Sequence, residues 1–171
     1  MEITGRMSTT ASLQDTFREA FQRHRGIVLK VAHSYAAHVE DRRDLAQEIA
    51  AQAWKAYRSY DPARPFSTWL YRVALNVAIS HLRTHVRREA VRIDGVADRA
   101  HDEDTTRETD DGLRALHRCI AALDPFDRAL MLLYLDERPQ REIADVLGLS
   151  ETNVATRIAR LKNRIRNQLG A

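Results

Sequence analysis

Thr152, Asn153, Thr156, Arg160 and Asn163 fall on one side of the stretch from Glu151 to Leu169 when it is wound at helical period. They are hydroxyls, amides and a guanidinium, the groups that donate to phosphate oxygens and to base edges in a major groove. Arg157 lies beside them, and the stretch sets five cations (Arg157, Arg160, Lys162, Arg164 and Arg166) against the single acid Glu151. A second polar line, Arg72, Asn76, Ser80, Arg83 and Arg87, escapes from an otherwise apolar segment at spacings of four, four, three and four. Three arginines on such a line suit a partner lined with phosphates. Phe66, Trp69 and Tyr71 stand near its start, and flat rings can carry unstacked bases. A third group is acidic. Asp44, Gln47, Glu48, Ala51, Lys55 and Arg58 share one helical face with Trp54 at its border, and an indole beside carboxylates suits a protein-docking surface.

These groups need helices to hold them, and the pattern supplies them. Val154, Ile158, Leu161, Ile165 and Leu169 form one apolar stripe opposite the polar face of the last segment. Ahead of it, Pro139 suits a first helical turn, Ile143, Val146 and Leu147 give a short apolar face, and Gly148 stands where a left-handed C-terminal residue is needed. Leu149 then plugs the angle between helices and Ser150 caps the second one. This is the pattern of a helix-turn-helix whose second helix enters a major groove. A two-helix hairpin with a solvated basic face is the plainer alternative.

Further upstream, Leu13, Phe17, Ala20, Phe21, His24, Ile27, Val28, Val31 and Tyr35 keep a helical period with a bend expected at Gly26. A helix from about Asp41 to Tyr60 is expected to turn Leu45, Ile49, Ala53, Ala56 and Tyr60 inward. Pro62 and Pro65 break the chain, and Ser67 or Thr68 is positioned to cap a helix running to Arg88. Between Asp94 and Asp111 eight acids face only Arg99 and Arg107, and almost nothing there could enter a core. Taken as residues 90 to 110, such a linker spans roughly 70 Å at ~3.3 Å per residue, about two turns of duplex at ~34 Å each. After it, Leu113, Leu116, His117, Ile120 and Leu123 mark a helix, and Asp124-Pro125 signals the start of the next. The expected fold is all-α, two small helical domains joined by a flexible acidic linker.

Composition narrows the classes. Of 171 residues, 44% are hydrophobic and 30% charged, as in a globular protein, and the net charge of +3 is too small to argue from by itself. The lone Cys119 excludes a disulfide framework and favours packing over a nucleophilic role. No apolar run reaches membrane-span length and MEITGRMSTT lacks the core of a signal peptide, so a cytoplasmic protein with no membrane contact of its own is expected. His81, His85 and Glu89 form a four-spaced ladder that a divalent metal could use, but no fourth ligand accompanies it. A solvated helix face is the much better explanation, and neither a metal nor any other cofactor is expected.

Both halves together resemble the extracytoplasmic-function (ECF) sigma factors, minimal two-domain members of the sigma-70-like family of bacterial RNA polymerase. In the first half the resemblance rests on Asp44-Leu45-Ala46-Gln47-Glu48, Ala53-Trp54-Lys55-Ala56-Tyr57, Tyr60-Asp61-Pro62 and the run from Pro65 to Ala74. In the second it rests on Leu123-Asp124-Pro125, Glu142-Ile143-Ala144 and the run from Val154 to Ile158. It implies a flexible N-terminus over 1–12, sigma region 2 over 13–89, a linker over 90–111 and sigma region 4 over 112–171. It also implies a non-enzymatic initiation factor that binds promoter DNA and the polymerase core, through the clamp helices of the largest subunit and the flap. Such factors are often held by an anti-sigma partner. Carried onto this chain, Asp44, Gln47, Glu48 and Trp54 match the polymerase-gripping surface. Tyr60, Phe66, Ser67, Thr68, Trp69, Arg72, Asn76 and Arg83 match the part that opens the minus-ten element. Thr152, Asn153, Thr156, Arg157 and Arg160 match the helix that reads the minus-thirty-five element as duplex. Two departures stand out: Ala50 and Ala51 replace bulkier apolar residues, and Arg42 and Arg43 precede Asp44 where acids are common. A stand-alone helix-turn-helix regulator is the competing reading, and it has no use for the surface from Asp41 to Trp69.

Overall fold

The computed structural model describes residues 4–91 and 111–170, and among them every regular element is a helix. Most of the acidic linker lies outside the described residues. No helix among them is long and apolar enough to cross a membrane. The first bundle holds α1 (Thr4–Arg23), α2 (Arg25–Tyr35), α3 (Val39–Ala56), a single 3-10 turn at Tyr57–Ser59, and α4 (Phe66–Val91). The expected bend near Gly26 is a break at His24, whose Nδ1 and backbone N–H both turn back to the Ala20 carbonyl. The second bundle holds α5 (Asp111–Ala121), α6 (Pro125–Leu135), α7 (Gln140–Leu147) and α8 (Glu151–Leu169).

Local signals explain several helix ends. Asp124 accepts from the backbone N–H groups of Phe126 and Asp127, with Pro125 in the first turn. Burial opposes ionisation of its carboxyl, but these donors outweigh it and hold the group below its ordinary range. Gly148 takes φ 68°, the Leu149 N–H returns to Ala144, and Ser150 caps α8 through Asn153. At α4 the expectation fails. The helix already begins at Phe66, so Ser67 and Thr68 lie inside its first turn, and the Thr68 hydroxyl goes elsewhere.

Ile27, Val31, Leu45, Ile49, Leu70 and Leu75 fill the first core, while Leu130, Leu133, Ile143, Val154, Ile158 and Leu161 fill the second. The two cores meet, because α4 also packs against α6 and α7. Tyr71 sits at that junction with no exposed surface. Its hydroxyl donates to Asp136 at 2.6 Å, and Lys30 and Arg138 bring their cations to the same carboxylate. Burial pushes the Tyr71 phenol well above its ordinary value, and the Asp136 hydrogen bond pushes the same way, so Tyr71 stays a donor. Around this hub, Tyr35 donates to the Pro125 carbonyl at 2.6 Å and Arg128 to the Ser34 carbonyl at 3.2 Å. Glu137, beside the hub, holds φ 56°, a left-handed conformation unusual for a side chain of its kind.

One edge of the junction is sensitive to acid. Burial, then the charges of Arg42 on α3 and His117 on α5, hold His33 below its ordinary value. Arg42 shares the bundle of His33, so what is relieved when the bundles part is the charge of His117 and any cover from the second bundle, and by that part the exposed histidine then binds its proton more readily. Docking is therefore at full strength well above the free-histidine value of about 6.5 and weakens as pH falls through it. Donor and acceptor dyes on the two bundles should separate on going from neutral to mildly acidic buffer. The separation should be smaller in His33→Asn.

Candidate nucleic-acid and polymerase interfaces

Three groups of side chains remain turned to solvent. On α3, Asp44, Gln47 and Glu48 are exposed in one strip, and Gln52 steadies Glu48 by donating to its Oε1 at 2.7 Å. Of the two arginines before this strip, Arg43 is exposed and Arg42 is turned onto the preceding loop. It donates to the carbonyls of Ala36 and Ala37 at 3.0 and 2.8 Å. Trp54 is half-buried, its ring 5.2 Å from that of Phe17. It is the floor at the edge of the strip and not a free anchor.

On α4, Arg72, Asn76, Ser80 and Arg83 are exposed in line, while Leu70, Ala74, Leu75 and Ala78 are buried. The α4 N-terminus meets a cluster of rings. Tyr57 and Tyr60 stack at 5.6 Å, Tyr60 and Trp69 stand 5.2 Å apart, and so do Phe66 and Trp69. The half-buried Tyr60, Phe66 and Trp69 keep ring surface in reach of solvent beside the arginine line. Tyr60 is anchored by donating to the Arg64 carbonyl at 2.6 Å, which fixes the shape of the loop between them. Tyr71 must be removed from the set of base platforms. It faces the second bundle, since its position on α4 points away from the ring cluster and into the junction. Ser67 is half-buried and Thr68 is 8% exposed. The side chains of His85, Arg87 and Glu89 lie outside the described residues, and no cluster of metal-ligating residues occurs among those described.

On α8, Thr152, Asn153, Thr156, Arg160 and Asn163 are all exposed on one face. The apolar stripe of Val154, Ile158, Leu161 and Ile165 is buried opposite. Arg157 departs from the expected grouping. Its guanidinium pairs with Asp127 at 3.3 Å and lies 5.3 Å over the Phe126 ring, so it ties α8 to α6. The residue sits one helical position off the polar face, and its long side chain reached the nearest carboxylate. The two arginines should therefore separate in mutagenesis. Arg160→Ala should weaken duplex binding and lower its salt slope by about one, with an unchanged melting transition. Arg157→Ala should instead cost about 1–2 kcal/mol of stability, from a half-buried charged pair and a ring contact, read by urea denaturation.

Periodicity had little to say about Lys30, Arg64, Arg138, Asp136, Glu142 and Asp145, whose side chains join the two bundles. Each is a charged residue on an amphipathic helix or turn, indistinguishable in one dimension from a solvated one.

Comparison with known proteins places this geometry. The family models for Sigma-70 region 2 and Sigma-70 region 4 match residues 20–88 and 113–165. The ECF RNA polymerase sigma factor SigW of Bacillus subtilis is 27% identical over 168 residues, 91% of this chain and 90% of its own length. The RNA polymerase sigma factor CnrH of Cupriavidus metallidurans is 28% identical, over 92% of this chain and 88% of its own. The solved structure of CnrH with the cytosolic domain of CnrY superposes with a TM-score of 0.65, at 26% identity, over 92% of this chain and 89% of that one. The sigma factor RpoE of Bartonella quintana, solved with the anti-sigma factor NepR, shares the fold with a TM-score of 0.75 at 19% identity, over 91% and 98% of the two chains. With both halves matched in order, the chain belongs to the sigma-70 family and is an RNA polymerase sigma factor of the extracytoplasmic-function type, an initiation factor of transcription and not an enzyme.

Proposed function

We propose that the two bundles divide the promoter between them, the second reading the minus-thirty-five element as duplex and the first parting and holding the minus-ten element. The observation that carries this reading is the pair of exposed polar faces on otherwise buried helices. One is Thr152, Asn153, Thr156 and Arg160 on α8; the other is Arg72, Asn76 and Arg83 on α4 beside the Tyr60, Phe66 and Trp69 rings. The α8 face is straight, capped and free of aromatics, which suits a groove of paired bases. The α4 face combines cations with rings, which suits an unstacked strand. Flipping a base costs a few kcal/mol, and stacking on Tyr60 or Trp69 with phosphate contacts to Arg72 and Arg83 offsets it.

The strip of Asp44, Gln47 and Glu48, floored by Trp54, is the surface for the clamp helices of the polymerase core; the second bundle meets the flap. Because CnrH and RpoE were solved with CnrY and NepR, an anti-sigma protein is the regulator we propose for this chain as well, acting in the cytoplasm.

The test is run-off transcription with sigma-free core polymerase on a pool of genomic promoters. Defined transcripts dependent on the added protein support the reading, and none on any template removes it. On a promoter so found, Asn76→Ala should leave duplex binding intact and reduce permanganate reactivity at the minus-ten thymines severalfold. Equal reactivity would show that the wrong line of α4 has been chosen.

A further inference from the structure

Two of the groups that join the bundles lie at the strand-holding surface: Thr68, one of its matched residues, and Arg64, an exposed cation in the loop that Tyr60 anchors beside it. Arg64, in the loop between the ring cluster and α4, donates through Nη1 to both carboxylate oxygens of Asp145 at 3.2 and 3.5 Å. Thr68 donates to Glu142 Oε1 at 2.9 Å and is almost wholly covered. Glu142 and Asp145 are three apart on α7, so both carboxylates leave the same face of that helix. A guanidinium and a hydroxyl are what a nucleic-acid phosphate recruits, and a carboxylate is the nearest protein substitute for that anion. The rest of the contact (Lys30 and Tyr71 on Asp136, Tyr35 on the Pro125 carbonyl, Arg128 on the Ser34 carbonyl) involves none of the proposed DNA-binding residues. The α8 face points elsewhere and stays exposed throughout.

From this asymmetry we propose that α7 is an internal competitor for the parted strand. In the docked chain Asp145 and Glu142 occupy Arg64 and Thr68 in place of DNA phosphates, leaving duplex reading open and strand holding closed. The inference rests on the reading of the first bundle as the strand-holding unit. Strand affinity is then reduced by the fraction of molecules that are docked, and any partner that draws the bundles apart restores it by the same factor.

The test uses the full chain in three forms: wild type, Glu142→Gln/Asp145→Asn, and Lys30→Met. Each is checked by circular dichroism for intact helices and by small-angle scattering for its radius of gyration. Each is then titrated with a labelled random-sequence single strand and with a random-sequence duplex. Both variants should be more expanded than wild type and should bind the single strand about 5- to 30-fold more tightly, the range that weakening a contact of this size opens. Duplex affinity should change far less. Lys30→Met is the sharper arm, because it removes a positive charge and on bulk electrostatics alone should bind DNA more weakly. Expansion with no gain in strand affinity overturns the proposal, as does an equal gain for duplex or the absence of expansion in both variants. Arg72→Ala separates the two levels of the argument. If it weakens strand binding while the docking variants do nothing, only the competitor idea fails. If no form of the chain binds the single strand, the strand-holding reading fails and the competitor idea with it.

Discussion

Reversing Asp44 and Glu48 to lysine is expected to lower the affinity for core RNA polymerase by several hundredfold, since two central interface contacts at ~2 kcal/mol each, if additive, account for a factor of that order. Both side chains are exposed on α3 and, among the described residues, neither makes an ion pair with another helix, so the folded state should lose almost nothing. Stability should stay within ~0.5 kcal/mol of wild type. Trp54 is the poorer test of the same surface, because its ring packs on Phe17 and its removal also opens the first core. The measurement is retention of core enzyme on the immobilised chain, with thermal melts of both proteins alongside. Undiminished retention would move the polymerase contact off α3. A parallel loss of helicity would mean that the strip is structural.

The second large effect concerns the hub of the junction. Asp136→Ala should destabilise the chain by about 3 kcal/mol, whereas Tyr71→Phe should cost only about 1 kcal/mol. The difference follows from what each change leaves behind. Without the carboxylate, a fully buried hydroxyl loses its acceptor and Lys30 and Arg138 lose their shared anion. Without the hydroxyl, Asp136 keeps both cations. The pair should be strongly non-additive, since the double variant no longer strands a phenol. Equal costs in urea denaturation would contradict this account of the hub. Acid should have a related effect. Burial alone would raise the Asp136 carboxyl, but the hydrogen bonds from Lys30, Tyr71 and Arg138 outweigh it and hold the group below its ordinary range. Its contribution is thus complete above the free-carboxyl value of about 4 and is lost as pH falls through the depressed one. That loss lies below the range in which His33 acts, so acid should loosen the junction in two separate steps.

These effects differ in how far they could be foreseen. The α8 face was legible because helical period, a glycine at the turn and a serine cap all point one way, and a helix terminus is decided by its own neighbours in sequence. The same holds for the Asp124-Pro125 start of α6 and for the line from Arg72 to Arg83. Tyr71 faces the junction and not the other rings, and Arg157 takes a partner on α6, for the same reason. Periodicity assigns a residue to a sector of its helix, but a residue at the border of that sector goes to whichever neighbour arrives, and that neighbour is remote in sequence.

The amino-acid sequence by itself determined an all-helical chain in two halves, the caps of α6 and α8, the glycine turn between α7 and α8, and the polar faces of α3, α4 and α8. All of these follow from interactions within a few residues or from the period at which apolar side chains recur. Only the tertiary structure decided that the halves dock, that Asp136 gathers Tyr71, Lys30 and Arg138, and that Glu142 and Asp145 reach Thr68 and Arg64. Apart from Arg138, which lies two positions from Asp136, those contacts join residues some 65 to 106 positions apart. A charged side chain awaiting such a partner has no local signature, because nothing near it in the chain distinguishes it from one that faces water.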